Sequence, residues 1–149
     1  MMTDTPKNSS REGFSFWYEM ATRWNDNDQL GHVNNVVYYS YFEACVVNFV
    51  QVQCEIDWIN SPSVPYAAES NCKFLRPVAF PSFLNVGLNI TYIGRSSVKY
   101  FLALFVEGEN EASATCQWVH VWVDRNGKRP VPIPERAVNA YTRYKKETK

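Results

Sequence analysis

Asp26-Asn27-Asp28-Gln29-Leu30-Gly31-His32-Val33-Asn34-Asn35 is a polar segment that leads straight into the longest apolar stretch of the chain, residues 36–52. Only Ser40, Glu43, Asn48 and Gln51 interrupt that stretch. It reads as a helix over 35–54, with Asn34 as N-cap, because a short amide accepts from first-turn N–H groups. Apolar residues fall on nearly every side, which implies a helix surrounded by protein. A mid-helix Glu43 and a run shorter than about 20 apolar residues favour a buried soluble helix over a bilayer span. The polar segment therefore ends where a helix begins. Helix starts expose unpaired N–H groups and the positive end of the dipole, which suits a developing oxyanion. A carboxylate a few residues upstream is placed to act as base or nucleophile.

Outward from this segment, residues 14–24 are rich in aromatics and read as a first strand, and 59–65, with Pro62 and Pro65, as loop. Residues 67–75, 83–93, 98–107 and 114–124 are strand-like runs separated by turn signals. Asn126-Gly127 marks a tight turn, since both residues tolerate positive φ. Pro134 suits the first position of a closing helix over 135–146. In 115–123, Trp118, His120 and Trp122 share one face and Val119, Val121 and Val123 the other, so neither face is polar. A sheet with one wet face alternates apolar with polar. The second face is therefore read as covered by another subunit. The fold class is α+β, an antiparallel sheet of about five strands around one long buried helix, with a short C-terminal helix.

With 149 residues, 46% of them hydrophobic, the chain suits one domain whose core needs neither disulfides nor metal. Residues 1–12, polar with Pro6 and Ser9-Ser10, are expected as a disordered tail, and 13–149 as the single domain. The tail has no apolar core of a secretory signal. Fifteen basic residues balance fifteen acidic ones, which leaves no electrostatic footprint for nucleic acid. Cys45, Cys54, Cys72 and Cys116 are scattered, and read as buried, reduced thiols of a cytoplasmic protein.

Rival chemistries fail on spacing. Asp26-x-Asp28-x-x-Gly31 opens like a calcium loop, but Leu30 and Val37 stand where the fifth and twelfth ligands belong. Zinc is excluded because His32 and His120, the only two histidines, have no cysteine at ligand spacing. There is no Gly-x-Ser-x-Gly elbow and no phosphate-cradling glycine loop. Carboxylate chemistry at a helix N-terminus remains.

Arg23-x-x-Asp26-x-Asp28-x-x-Gly31-His32-Val33-Asn34-Asn35-x-x-Tyr38, followed by Tyr41-Phe42-Glu43, resembles the opening of hotdog-fold acyl-CoA thioesterases of the 4-hydroxybenzoyl-CoA thioesterase type. Phe74-Leu75-Arg76-Pro77, Ile93-Gly94-Arg95-Ser96-Ser97-Val98 and the turn over 124–134 are similar in order and spacing, so the likeness spans 14–144. The resemblance implies a hotdog fold and hydrolysis of an acyl- or aryl-CoA to free acid and coenzyme A. It implies that Asp28 attacks the thioester or activates water, and that the Asn35 backbone N–H polarises the carbonyl. It further implies sites at the interface of a homodimer or homotetramer, with coenzyme A, itself part of the substrate, entering between subunits. No metal, prosthetic group, nucleic acid or membrane partner is implied.

Other residues carry smaller expectations. His32 is read as holding Asp28 by a hydrogen bond within the loop, and Asp26 as a solvated turn residue. Asn34 and Tyr38 line the substrate side. Glu43, on a buried helix, needs a partner such as Arg23 or Lys73 unless it faces substrate. Arg76, Arg95, Lys99 and Arg129 are candidate phosphate contacts, and Ser97 a contact to the pantetheine arm. His120 is a core or interface histidine. The alternative reading is a non-catalytic acyl-chain binding hotdog protein or a hotdog dehydratase. A dehydratase needs a histidine poised with an acid across the acyl chain, and a binding protein has no need of Asp28.

Overall fold

The computed structural model describes residues 10–145. Five strands, β1 (Phe16–Ala21), β2 (Ser63–Phe74), β3 (Phe83–Ile93), β4 (Ser97–Val106) and β5 (Ala114–Asp124), form one antiparallel sheet in the order β1-β3-β4-β5-β2. Helix α1 (Asn35–Gln53) packs on one face, and α2 (Glu135–Tyr144) closes the chain. This is the expected α+β arrangement of a long helix wrapped by a sheet, the hotdog fold. No helix among the described residues is long and apolar enough to cross a membrane.

Period-two alternation sets which side chains meet the helix. Leu84, Val86, Leu88 and Ile90 of β3 are fully buried toward α1, and Leu102 and Leu104 of β4 join them. From α1 come Tyr38, Tyr41, Phe42, Cys45, Val46, Phe49 and Val50. Each such apolar side chain removed from water contributes about 1.5–3 kcal/mol. The helix is not surrounded, however. Val36, Ser40, Glu43 and Gln51 form an exposed stripe on the side away from the sheet. Glu43 consequently needs no buried partner, and it forms no ion pair among the described residues.

Two expected boundaries move. The first strand stops at Ala21, because the chain turns through a short 3₁₀ helix, Trp24–Asp26, whose ends Arg23 and Asp26 cap reciprocally. The expected loop over 59–65 gives up its last three residues to β2, where Val64 and Pro65 are buried. Proline is tolerated there because β2 is an edge strand. Pro134 is the N-cap of α2 rather than its first helical residue. The expected end of that helix, Lys146, lies outside the described residues.

The outer face of the sheet is partly covered by the chain itself. The first nine residues of the expected tail lie outside the described residues, but Ser10–Glu12 belong to a segment laid on the sheet. Arg11 donates to the Glu109 carbonyl (2.5 Å), Asn85 Oδ1 (2.9 Å) and the Val106 carbonyl (3.0 Å), with its guanidinium 4.9 Å from the centre of the Phe105 ring. Phe14 stacks on Phe101 and meets Trp17 and Phe105 edge-on. It sits directly over Gly87, where a Cβ would lie 2.6 Å from Phe14 Cγ.

His120 is a core residue, 3% exposed. Its Nδ1 is 2.9 Å from the Tyr100 hydroxyl, which lies 2.8 Å from the Tyr141 hydroxyl, and Trp122 Nε1 donates to Tyr141 at 3.3 Å. This buried chain of polar groups joins β4, β5 and α2.

Candidate active site

The segment that carries the two aspartates is held at both ends. Asp26 is 1% exposed, not solvated. Its carboxylate accepts from the Tyr41 hydroxyl at 2.5 Å, from the Arg23 N–H at 2.8 Å and from Arg23 Nε at 3.3 Å. Burial by itself would raise its pKa, but the Tyr41 and Arg23 bonds prevail and hold it below the ordinary carboxylate range. The same residue's carbonyl accepts from the Asn34 N–H at 2.9 Å. Asp26 thus ties the start of α1 to the end of the first strand. The Arg-x-x-Asp spacing is the local signal for the Arg23 cap; the Tyr41 contact, fifteen positions away, has none.

Between these ties the chain makes a tight turn. The Asp28 N–H donates to the His32 carbonyl at 2.9 Å, and the Gly31 N–H to the Asp28 carbonyl at 3.0 Å. Gly31 adopts φ +84°, a conformation that favours glycine. Asp28 Oδ1 accepts from the Leu30 N–H at 2.9 Å, while Oδ2 lies 3.4 Å from Asn34 Nδ2. The carboxylate is therefore fixed by backbone on one oxygen and by an amide on the other. His32 holds Asp28 through its main-chain carbonyl; its imidazole is exposed and makes no hydrogen bond among the described residues.

The start of α1 leaves one donor free. Asn34 caps the helix by accepting from the Val36 N–H with its side chain (2.9 Å) and from the Val37 N–H with its carbonyl (2.9 Å). The N–H of Asn35 has no partner among the described residues. Asp28, His32, Asn34, Asn35 and Tyr38 line one cleft of about 350 Å³, with Leu30 and the stretch 74–77 as its other wall. Tyr38 packs edge-on against Phe74 at 5.1 Å. A carboxylate and an unpaired helix-start N–H facing one cleft can activate a nucleophile and stabilise the oxyanion that results.

The remaining candidates divide. Arg76 lines the same cleft, although its guanidinium pairs with Glu111 and, at 4.0 Å, with Glu109. Arg95 sits in the β3–β4 turn and Ser97 opens β4, at the opposite end of the strands from Asp28. Lys99 lies over the Tyr92 ring, and Arg129 stands in the turn held by Asp124. One chain does not bring these three basic residues and Ser97 to the cleft. Glu43 lies outside the cleft as well. No group of three or more His, Cys, Asp or Glu among the described residues is placed to hold a metal ion.

Comparison with known proteins places this geometry in context. Residues 22–141 match the model of the Thioesterase-like superfamily. The PA5185 protein of Pseudomonas aeruginosa PAO1 shares 38% identity and superposes with a TM-score of 0.91, covering 94% of this chain and 98% of that one. A thioesterase of Thermus thermophilus, whose crystal structure is complexed with coenzyme A and Zn, shares 31% identity at a TM-score of 0.76, covering 89% and 96%. The uncharacterized protein YsmA of Bacillus subtilis (strain 168) is 27% identical over 107 residues, 71% of this chain and 72% of its own length.

Proposed function

The chain belongs to the Thioesterase-like superfamily, and from that premise we propose that it is an acyl-CoA thioesterase of the 4-hydroxybenzoyl-CoA thioesterase type, with Asp28 and the Asn35 N–H as its reacting groups. The observation that carries this reading is the meeting of a positioned carboxylate and an unpaired helix-start N–H in one cleft. The thioester carbonyl oxygen points at the Asn35 N–H. Asp28 then either takes a proton from water as the water oxygen attacks, or attacks directly to form a mixed anhydride that water hydrolyses. Both routes end in free acid and the coenzyme A thiol, and both need the oxyanion donor.

The active unit in this reading is at least a homodimer. β2 is an edge strand, and from Tyr66 to Phe74 every residue except Cys72 is exposed. A long free edge is a template for pairing, and a two-fold axis lets the same strand pair with itself. Arg95 and Ser97, remote from Asp28 in their own chain, then serve a coenzyme A that lies between subunits. The reading needs no metal and places the protein in the cytoplasm, a compartment in which thiols are ordinarily kept reduced. The experiment is a thiol-release screen over aryl-, short- and long-chain acyl-CoA esters, repeated after dialysis against EDTA. Hydrolysis of at least one class, unchanged by EDTA, supports the reading. No release from any ester overturns it, and activity lost to EDTA and restored by one divalent ion overturns its metal-free form.

A further inference from the structure

Two of the four cysteines oppose one another across the sheet. Cys72 of β2 and Cys116 of β5 are register partners in an antiparallel pair. The Trp122 N–H donates to the Ser96 carbonyl beside β4, so in the regular β4–β5 register even-numbered residues of β5 bond to β4, and hydrogen-bonded pairs with β2 fall at 73/115 and 71/117. Cys72 and Cys116 therefore occupy a non-hydrogen-bonded pair, where Cα atoms stand about 4.5 Å apart and side chains approach closely. A disulfide accepts Cα separations of roughly 4.4–6.8 Å. The ordinary spacing of such a pair falls within that range.

The two thiols are not equivalent. Cys116 is 1% exposed, whereas Cys72 is half-buried on the edge strand. Hydrogen bonding from the Cys116 thiol holds the Cys72 thiol below its ordinary range against the opposing effect of burial, and the Tyr39 hydroxyl adds to the lowering. The same interaction pushes the Cys116 thiol up. Cys45 and Cys54 differ: both are fully buried, and burial raises Cys54 to about 12. Neither of them opposes another cysteine in the sheet register.

We propose that Cys72 and Cys116 form a peroxide-reactive dithiol, Cys72 attacking and Cys116 resolving, that closes into an intramolecular cross-strand disulfide. The Cys72 thiolate attacks one oxygen of hydrogen peroxide, breaks the O–O bond and becomes a sulfenic acid, with the other oxygen leaving as hydroxide. The Cys116 sulfur then attacks the Cys72 sulfur and expels its hydroxyl, which leaves as water with the Cys116 proton. Overall, two thiols and one peroxide give one disulfide and two waters. The bond would lie two residues from Phe74 of the cleft wall, and Tyr39, whose hydroxyl interacts with Cys72, is next along α1 from the cleft residue Tyr38. It does not depend on the thioesterase reading.

The test is exposure of the full chain to a small excess of hydrogen peroxide, followed by denaturation, alkylation and mass spectrometry. Free thiols should fall from four to two, with a loss of about 2 Da before alkylation, a peptide map linking Cys72 to Cys116, and reversal by dithiothreitol. Cys116→Ser should stop at a Cys72 sulfenic acid trapped by dimedone, and Cys72→Ser should leave Cys116 reduced. Retention of all four thiols, a link between Cys72 residues of two copies, or oxidation of Cys72 to sulfinic acid in the wild type without the cross-link would each overturn the proposal.

Discussion

The Asn34 side chain occupies the Val36 N–H and its carbonyl the Val37 N–H, so Asn35 differs from its neighbour in what it offers: a main-chain donor with no internal partner. That distinction makes a clean substitution available. Asn34 has φ −62° and ψ 139°, the extended conformation that a following proline requires. Proline also suits the first helical position, where its missing N–H breaks no internal bond. Asn35→Pro should therefore fold and still bind acyl-CoA, yet hydrolyse it about 10²-fold or more slowly, the scale of losing one oxyanion donor. Circular dichroism checks the fold, and comparable turnover would exclude this N–H as the donor. At this scale the sequence was legible where a residue acts through backbone position. Asp28, Asn34 and Asn35 meet in one cleft as their spacing predicts. It was illegible for Asp26, whose burial depends on Tyr41 fifteen positions away, a contact that exists only once α1 packs on the sheet.

The elements were legible where periodicity is strong. Four of the five strands and both helices lie within a few residues of their expected bounds, because alternation and caps are local signals. The N-terminal segment was not. Its composition is polar, and the partners of Arg11 lie 74 to 98 positions away, beyond any local pattern. The apolar outer face read from β5 as a subunit contact is, on the β1–β3–β4 side, covered by this segment's Phe14. Gly87 is what lets the ring sit there. Gly87→Ala should lower stability to urea by about 1–3 kcal/mol, the usual cost of overpacking. In a Phe14→Gly background the same change should be near neutral, since the Phe14 Cβ, Cγ and Cδ1 atoms that the new methyl would meet are all gone. Equal costs in both backgrounds would show that the contact does not hold the segment.

For the whole molecule, buried polar groups set the response to acid. Burial pushes the His120 pKa down from 6.5 to about 3. Between those values the unfolded chain binds a proton that the folded chain does not, so stability rises with pH across that window. It is fully present above about pH 6.5 and lost as pH falls toward 3. Asp26, also held low, loses stability in the same direction. Urea unfolding from pH 7 to 4 should show a slope that His120→Gln reduces by up to about 1.4 kcal/mol per pH unit. Identical slopes would mean that His120 does not remain neutral in the fold. Assembly is the other whole-molecule property. With the β2 edge paired, sedimentation equilibrium at micromolar concentration should give at least twice the 17.3 kDa chain mass. A monomer would leave Arg95 and Ser97 without a route to the cleft.

The central claim is that Asp28 performs the chemistry, and its most direct measurement is steady-state thiol release by Asp28→Asn on the best acyl-CoA ester from the screen. The amide is nearly isosteric and still accepts from the Leu30 N–H, so the fold and substrate binding should be preserved. The expected result is a kcat lower by about 10² or more with KM little changed, the contribution of a positioned base or nucleophile. A variant that retains more than about a third of the wild-type kcat would contradict the assignment, since removing an essential base or nucleophile cannot leave turnover that high.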